Sequence, residues 1–167
     1  MPSKTVRESG IYTLTSEQVL PITMAEAWDF FSLPTNLDKI TPADMKFFIT
    51  NNPGSETYEG QIITYKIGIL PFIKSNWITE ITHLKTPAGI HLKKAFFVDE
   101  QRFGPYAMWH HEHHFEELEN GNVKMTDIVN YKMPLGFLGQ ILAGKLVSDK
   151  VTRIFEGRRQ ILTKILG

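Results

Sequence analysis

The sequence predicts an α+β fold in which a curved antiparallel sheet wraps around one long C-terminal helix. Apolar residues alternate with period two between residues 45 and 103, and no helical pattern interrupts that run. After Gly136 the apolar residues recur at intervals of three and four, as they do along one face of a helix. A sheet bent around a single helix seldom closes along its whole length, so we expect an apolar-walled cavity between the two.

The N-terminal part of the chain is predicted to contain one strand and two short helices. Residues 11–20 alternate as a strand does, and Pro21 ends them. Thr23 and Glu26 have the spacing of a capping box, in which each side chain bonds the other residue's backbone amide, so a helix begins here. Pro34 stops that helix, and residues 36–40 can form one or two further turns.

The long C-terminal helix is predicted to be amphipathic. Most of its polar side is assigned to Lys145, Asp149, Lys150, Arg153, Arg158 and Arg159. Glycines such as Gly157 each cost about 1 kcal/mol relative to alanine inside a helix. They either bend the helix or let another segment approach it closely, and the sequence leaves both alternatives open.

A hairpin centred on Asn120-Gly121 organises the second half of the sheet. Asn-Gly between two alternating runs is the strongest short-range hairpin signal. A two-residue loop would pair Leu118 with Val123 and mix aromatic and charged residues on both faces. A loop of Glu119-Asn120-Gly121 pairs Leu118 with Asn122 and gives one coherent apolar face. We therefore adopt the three-residue loop.

This register places a pair of histidines on the inner face of the hairpin. The inner face pairs Trp109, His111, His113 and Phe115 with Tyr131, Val129, Asp127 and Met125, respectively. The outer face pairs His110, Glu112, His114 and Glu116 with Asn130, Ile128, Thr126 and Lys124, as suits contact with water. Buried polar groups need partners. We therefore predict that His113 and Asp127 are hydrogen-bonded and orient His111 within the cavity.

The strand predicted at residues 90–99 has an ambiguous inward face, and a bulge could switch the face along its length. This ambiguity affects two polar residues at the end of the strand, Asp99 and Gln101. The plainer interpretation is that they cap the loop after the strand at the cavity rim. If Asp99 points inward instead, it could join His111 as a general acid or base.

Charge and composition exclude several classes of protein. The 18 Lys and Arg residues balance the 18 Asp and Glu residues, and no basic stripe suits a nucleic-acid backbone. The chain has no cysteine, which excludes disulfides and thiol chemistry. No apolar window is long enough to span a bilayer, and the first residues lack the apolar core of a signal peptide. We expect a single cytoplasmic domain, residues 1–167, whose oligomeric state the sequence does not specify.

Three motifs, which follow one another in the predicted order of elements, carry a resemblance to a known superfamily. They are Ala25-x-x-Trp28-x-Phe30-Phe31-x-x-Pro34-x-Asn36-Leu37-x-x-Ile40-Thr41-Pro42, then Phe97-x-Asp99-x-Gln101-x-x-Gly104-Pro105-Tyr106-x-x-Trp109-x-His111-x-His113-x-Phe115, then Asp127-x-Val129-x-Tyr131-x-x-Pro134-x-Gly136. Together they resemble the SRPBCC group of the START-like, pollen-allergen-like superfamily. The resemblance spans residues 20–162.

The resemblance implies the helix-grip fold and several possible activities. The superfamily includes lipid and sterol carriers, coenzyme Q binders, polyketide cyclases or dehydratases, and plant hormone-binding proteins. We therefore expect an apolar or amphipathic small molecule, such as a lipid, a quinone or a polyketide-like compound, to bind in the cavity. One alternative is a cyclase or dehydratase that uses a cavity histidine as general acid or base. The other is an interaction module with a filled core and no ligand.

The expected ligand contacts come from the inward strand residues. They are Trp77, Phe97, Gln101, Trp109, His111, His113, Phe115, Asp127, Val129 and Tyr131. The candidate catalytic residues are His111, His113, Asp127 and Asp99. His111, His113 and Asp127 could also hold one metal ion, but a histidine opposite an aspartate is satisfied without an ion, so we predict no metal and no cofactor. Residues 135–147 could form a lid or a lip that touches a membrane transiently, or simply the start of the helix.

Overall fold

One eight-stranded antiparallel sheet dominates the computed structural model, which describes residues 3–70, 73–87, 93–134 and 136–167. The strands are β1 Lys4–Glu8, β2 Ile11–Leu20, β3 Phe48–Ile49, β4 Ile62–Leu70, β5 Ile73–Lys85, β6 Lys94–Phe103, β7 Met108–Glu117 and β8 Val123–Lys132. Their order across the sheet is β1-β2-β8-β7-β6-β5-β4-β3. Every neighbouring pair except β2 and β8 is also consecutive in sequence, so the sheet is a meander closed by one long-range pairing.

Three α-helices accompany the sheet: α1 Met24–Phe31, α2 Leu37–Ile40 and α3 Gly136–Leu166. The predicted capping box begins α1, where the Glu26 amide donates to Thr23 Oγ1 at 3.3 Å and the Thr23 amide donates to Glu26 Oε2 at 2.8 Å. The α3 helix is 31 residues long and lies against β2. The predicted α+β architecture, with two short helices after a strand and one long terminal helix, is confirmed.

The β7–β8 hairpin has the predicted three-residue loop. The Leu118 amide donates to the Asn122 carbonyl at 2.8 Å, and Gly121 adopts φ +81°, which a residue with a side chain rarely tolerates. The register pairs His111 with Val129 and His113 with Asp127. The inner face of the hairpin is therefore the one that the alternation of the sequence predicts.

The inward face of β6, which the sequence left ambiguous, carries Ala95, Phe97 and Asp99. The register between β5 and β6 shifts between Ile81 and His83, where the extra residue belongs to β5, so Ala95, Phe97 and Asp99 of β6 keep one face. The strand begins at Lys94, and the earlier part of the predicted strand at residues 90–99 falls largely outside the described residues. The alternative in which Asp99 points inward is the one the structure has.

Two features of the fold differ from, or add to, what the sequence predicted. Strand β1 was not predicted, because it is an edge strand with mostly exposed side chains and therefore lacks the alternation of a half-buried strand. At Gly157 an added Cβ would lie 3.1 Å from Pro42 Cγ, so this glycine allows close approach of α3 to the segment after α2. The lid hypothesis for residues 135–147 concerns side chains that lie largely outside the described part.

Candidate functional site

A cavity of about 170 Å³ lies between the inner face of the sheet, the segment from α1 to β3, and α3. Its walls are mainly apolar. The sheet contributes Ile63, Tyr65, Trp77, Ile81, Phe97 and Trp109, the α1 to β3 segment contributes Phe31, Leu37, Ile40, Met45 and Phe47, and α3 contributes Val151, Ile154 and Phe155. The geometry thus provides the apolar-walled space that a sheet bent around one helix leaves open.

Polar side chains converge on one part of this cavity, where β6, β7, β8 and α3 meet. We call Asp99, His111, His113, Asp127 and Arg158 the His-Asp cluster. All except Asp99 are at least nine-tenths buried, and Asp99 is partly buried. The two imidazole rings lie 3.7 Å apart between their centroids. Asp99, His111, His113 and Arg158 line the cavity.

Each imidazole of the cluster bridges the same two carboxylates. His111 Nε2 lies 3.0 Å from Asp127 Oδ1, and His111 Nδ1 lies 3.3 Å from Asp99 Oδ2. His113 Nε2 lies 2.8 Å from Asp99 Oδ2, and His113 Nδ1 lies 3.3 Å from Asp127 Oδ1. Thr79 Oγ1 completes the arrangement by donating to Asp99 Oδ1 at 3.2 Å.

The predicted pairing of His113 with Asp127 is therefore only partly right. The two residues face each other across the strands, as predicted. The hydrogen bonds run diagonally instead, from His113 to Asp99 and from His111 to Asp127. Side chains on a strand lean along the strand direction, so the directly opposite residue need not be the partner. Asp99, on the neighbouring strand β6, becomes a full member of the cluster.

The cluster shifts the pKa of each of its members. Burial disfavours the charged carboxylate of Asp99, but hydrogen bonds and attraction from His111 and His113 outweigh it and hold the pKa well below its usual range. Burial acts in the same way on Asp127, and the charge of Arg158 together with His111 and His113 lowers its pKa.

The two imidazoles are shifted in opposite directions. Burial favours neutral His111, but its bonds to Asp127 and Asp99 outweigh burial and raise the pKa. For His113, burial and then the nearby charge of His111 lower the pKa despite the same two carboxylates. The cluster thus favours a charged His111 beside a neutral His113.

Arg158 is the member of the cluster that sequence analysis missed. Its assignment to the polar side of α3 is wrong, because the residue is only 7% exposed and its Nη1 lies 3.7 Å from Asp127 Oδ1. The sequence did contain a signal. Val151, Phe155, Arg158 and Leu162 follow one another at intervals of four, three and four, which places the arginine on the buried stripe of the helix.

The residues proposed from sequence as ligand contacts fall into two groups. Trp77, Phe97, Trp109, His111 and His113 line the cavity, as does the catalytic candidate Asp99. Gln101, Phe115, Asp127, Val129 and Tyr131 lie outside the lining as the described residues define it. Sharing the inner face of a sheet is therefore not sufficient to reach the cavity, because helices cover parts of that face.

Each residue outside the lining has a local structural role. Phe115 packs against Phe31 of α1, with ring centroids 5.1 Å apart. Val129 and Tyr131 belong to a second apolar cluster with Val151 and Phe155 of α3. Asp127 lies behind the histidines as their partner.

Gln101 caps the loop after β6, as the plainer interpretation held. Its Nε2 donates to the Tyr106 carbonyl at 2.7 Å, and its Oε1 accepts from the Tyr106 amide at 3.2 Å. These two bonds fix the backbone of Tyr106, whose ring lines the cavity beside Trp109. Gln101 thus shapes the cavity through the loop that it holds.

Three side chains of the cluster present atoms suited to a metal ion. Asp99, His111 and His113 each offer one ligand atom, and these atoms lie within 4.8 Å of one another. The sequence suggested Asp127 as the carboxylate of such a set, whereas the structure groups Asp99 with the histidines.

Within the part of the chain that the structure describes, no helix has the length and apolarity needed to cross a membrane.

Comparisons with known proteins bear on the fold. No protein-family model matches the sequence, and no curated protein matches it. Among solved structures, the chain is similar to protein Ms6760 from Mycobacterium smegmatis, with a TM-score of 0.65 at 15% identity over 100% of this chain and 96% of that one. It is also similar to a point mutant of norcoclaurine synthase from Thalictrum in complex with a transition-state analogue (TM-score 0.59, 10% identity, 96% and 97% covered).

A third similar structure is major latex-like protein 151 from Panax ginseng, with a TM-score of 0.53 at 13% identity over 87% of this chain and 97% of that one. At such identities the likeness shows the fold alone. The three proteins share the curved antiparallel sheet and the long C-terminal helix. The chain therefore has the helix-grip fold, as the resemblance of its sequence motifs implied.

Proposed function

We propose that this protein binds a small amphipathic molecule in the cavity, with the polar end of the molecule against the His-Asp cluster. The observation that carries the proposal is the distribution of polarity in the lining. Apolar side chains form most of the wall, and Asp99, His111, His113 and Arg158 meet at one place. Small-molecule sites commonly combine an apolar wall with a few convergent polar groups.

The volume of the cavity favours a compact ligand over an extended lipid. An apolar cavity of about 150 Å³ holds a benzene molecule. The 170 Å³ cavity thus suits one aromatic or alicyclic ring with one or two substituents. The lining supports a ring-bearing ligand as well, since the rings of Trp77 and Trp109 meet edge to face with centroids 5.2 Å apart.

Two buried donors in the lining favour a ligand with a hydrogen-bond acceptor. Trp77 Nε1 and Arg158 Nε are buried and have no hydrogen-bond partner among the described residues. A buried donor left unpaired costs about 1–3 kcal/mol. A carbonyl or hydroxyl oxygen on the ligand would remove part of that cost, which supports an amphipathic molecule over a hydrocarbon.

A size series of ligands tests the proposal. Phenol-sized and ethylphenol-sized compounds should raise the melting temperature of the purified protein, whereas a sixteen-carbon fatty acid should not. Ile154→Trp, which fills the cavity from α3, should abolish the shift. Ile165→Trp is the matched control, because Ile165 lies on the same helix and is 47% exposed. Equal shifts in both variants would place binding elsewhere and refute the proposal.

The opposite pKa shifts of the two histidines favour a second candidate function. A pair of titratable groups whose environments push their pKa values apart is typical of acid and base partners in catalysis. His111, with its raised pKa, would serve as the acid, and His113, with its lowered pKa, as the base, on a substrate held in the cavity. This role matches the cyclase or dehydratase alternative.

His111→Ala distinguishes the binding function from the enzymatic one. In an enzyme the substitution should abolish turnover and leave ligand affinity nearly intact, whereas in a binding protein it should change the affinity alone. Native mass spectrometry of the wild-type protein supplies the compound for the assay, because it detects a small molecule that copurifies.

A further inference from the structure

We propose that Asp99, His111 and His113 form a binding site for one divalent transition-metal ion at the wall of the cavity. The donors are Asp99 Oδ2, His111 Nδ1 and His113 Nε2. Asp99 Oδ2 lies 3.3 Å from His111 Nδ1 and 2.8 Å from His113 Nε2. Ligands that each bind an ion at about 2.0–2.2 Å lie about 3–3.5 Å apart around it. Two of the three separations are thus close to those of a coordination shell, and one donor atom from each of the three residues lies within 4.8 Å of the others.

The kinds of donor atom select the class of ion. Two imidazole nitrogens and one carboxylate oxygen suit zinc, iron, cobalt or nickel, whereas magnesium and calcium prefer shells of oxygen. The three residues also lie on adjacent strands of one sheet, His111 and His113 on β7 and Asp99 on β6. Strands hold their side chains more precisely than loops, so the site needs little rearrangement to receive an ion.

The remaining nitrogen of each ring faces an outer carboxylate, which is hydrogen-bonded to His111. His111 Nε2 lies 3.0 Å and His113 Nδ1 lies 3.3 Å from the same atom, Asp127 Oδ1. Histidines that bind metals usually donate their other ring N–H to a carboxylate, which fixes the tautomer and the orientation of the ring. Asp127 stands in that position for His111 through a hydrogen bond, whereas His113 Nδ1 only approaches it and has no hydrogen-bond partner among the described residues. Arg158 Nη1 lies 3.7 Å from Asp127 Oδ1.

The inner side of the site opens on the cavity. Asp99, His111 and His113 all line the cavity, so coordination positions left by three protein ligands would face the bound molecule. Sites with three protein ligands and an open position are typical of metals that bind or activate a small molecule. The ion would therefore meet the polar end of a ligand in the cavity.

The test uses cobalt(II) added to the metal-stripped protein, with the visible absorption of the ion as the readout. We expect one cobalt per chain. Asp99→Asn preserves the size of the side chain but removes its charge, and should weaken binding more than tenfold. Asp127→Asn, which changes only the outer partner, should weaken binding by about 10- to 100-fold.

The matched control is the double variant His110→Gln/His114→Gln, on the outer face of the same strand. It removes two histidines that lie beside Glu112, with His110 Nε2 and His114 Nε2 at 3.4 and 2.8 Å from its carboxylate oxygens. This control should bind cobalt as the wild type does. Loss of binding in the control with retention in Asp99→Asn would assign the ion to the surface and overturn the proposal, as would a wild-type protein that binds no cobalt.

A second measurement keeps the test decisive if Asp99→Asn does not fold. Cobalt(II) is paramagnetic and should shift the ring protons of His111 and His113 in the His110→Gln/His114→Gln protein. The exposed His83, on β5, should keep its resonances. Unshifted resonances for the inner pair would overturn the proposal. Because these experiments use the metal alone, their outcome is independent of the proposed function.

Discussion

The two faces of β7 carry the same kinds of residue in very different surroundings. His111 and His113 on the inner face are buried at 5% and 4% exposure, between two aspartates and beside Arg158. His110 and His114 on the outer face also lie beside carboxylates, at 2.8 Å from Glu100 and Glu112, respectively, but water reaches both pairs. On the inner face, burial and pairing act together: the bonds of His111 to Asp127 and Asp99 outweigh burial and raise its pKa, whereas burial and the charge of His111 lower the pKa of His113.

Acid should produce the largest difference between the two faces. The pKa values of Asp99 and Asp127 are lower in the folded protein than in the unfolded chain, so the unfolded state takes up protons first as the pH falls. Their contribution to stability is therefore present above about pH 4, the ordinary value for aspartate, and is lost below it.

The histidines contribute to this pH dependence with opposite signs. His113, whose pKa is lowered, loses its contribution as the pH falls below about 6.5, whereas His111, whose pKa is raised, keeps it there and loses it at higher pH. Urea unfolding between pH 3 and pH 7 should show a steep decline in the free energy of unfolding below pH 4. Asp127→Asn should decline less steeply, and equal slopes would contradict the assignment.

Removing one carboxylate beside each face of β7 measures how much burial increases the cost of losing a partner. Asp127→Ala leaves the charges of His111 and Arg158 without their partner in a buried site, which should cost about 3–5 kcal/mol. Glu112→Ala removes the partner of two partly exposed histidines and should cost less than about 1 kcal/mol. Chemical unfolding at pH 7 measures both values. A cost for Asp127→Ala as small as that for Glu112→Ala would mean that water reaches the cluster.

Two consecutive arginines extend the comparison to α3. Arg158→Met should lower the free energy of unfolding by about 2–3 kcal/mol. The methionine keeps the packing of the hydrocarbon stem of Arg158, but Asp127 loses the cation beside it. Arg159 makes a partly exposed pair with Glu156 at 3.2 Å, so Arg159→Met should cost about 0.5 kcal/mol or less. Similar losses for both variants in urea unfolding would contradict the buried position of Arg158.

Exchanging one histidine on each face gives the smallest expected effects. His113→Gln removes a ring that stacks on Phe97 at 4.1 Å and leaves Asp99 with one partner fewer, which should cost about 1–3 kcal/mol. His114→Gln changes a partly exposed position and should stay within about 0.5 kcal/mol of the wild type. The two melting temperatures, compared at one pH, measure the difference. Indistinguishable values would show that the inner ring adds little to the fold.

The register of the β7–β8 hairpin and the start of α1 were predictable from local rules. The Asn120-Gly121 signal together with the alternation of the two strands determined which residues face inward, and the register is confirmed. The capping box at Thr23 and Glu26 is likewise confirmed, since its two hydrogen bonds join residues only three apart. Such features were predictable because all the interacting atoms belong to one short segment.

Sequence analysis missed the contacts between segments that lie far apart in the chain. Asp99 joined the cluster because its strand pairs beside β7, and the inward face of that strand was ambiguous in the sequence. Arg158 was placed on the wrong face, because counting polar residues along a helix does not reveal a buried cation that a distant aspartate compensates. The part of the cavity lining between α1 and β3 was also missed, because its contacts with the sheet join segments that lie far apart in the chain.

Except for the edge strand β1, the succession of strands and helices and the inward position of His111 and His113 were predictable from the sequence, because alternation, caps and turn residues act over a few positions. Only the tertiary structure shows which carboxylate is hydrogen-bonded to each imidazole, that the charge of Arg158 lies beside Asp127, and which inward side chains line the cavity. Those outcomes depend on how strands lean and where α3 crosses the sheet, and both result from packing among residues more than a hundred positions apart in places.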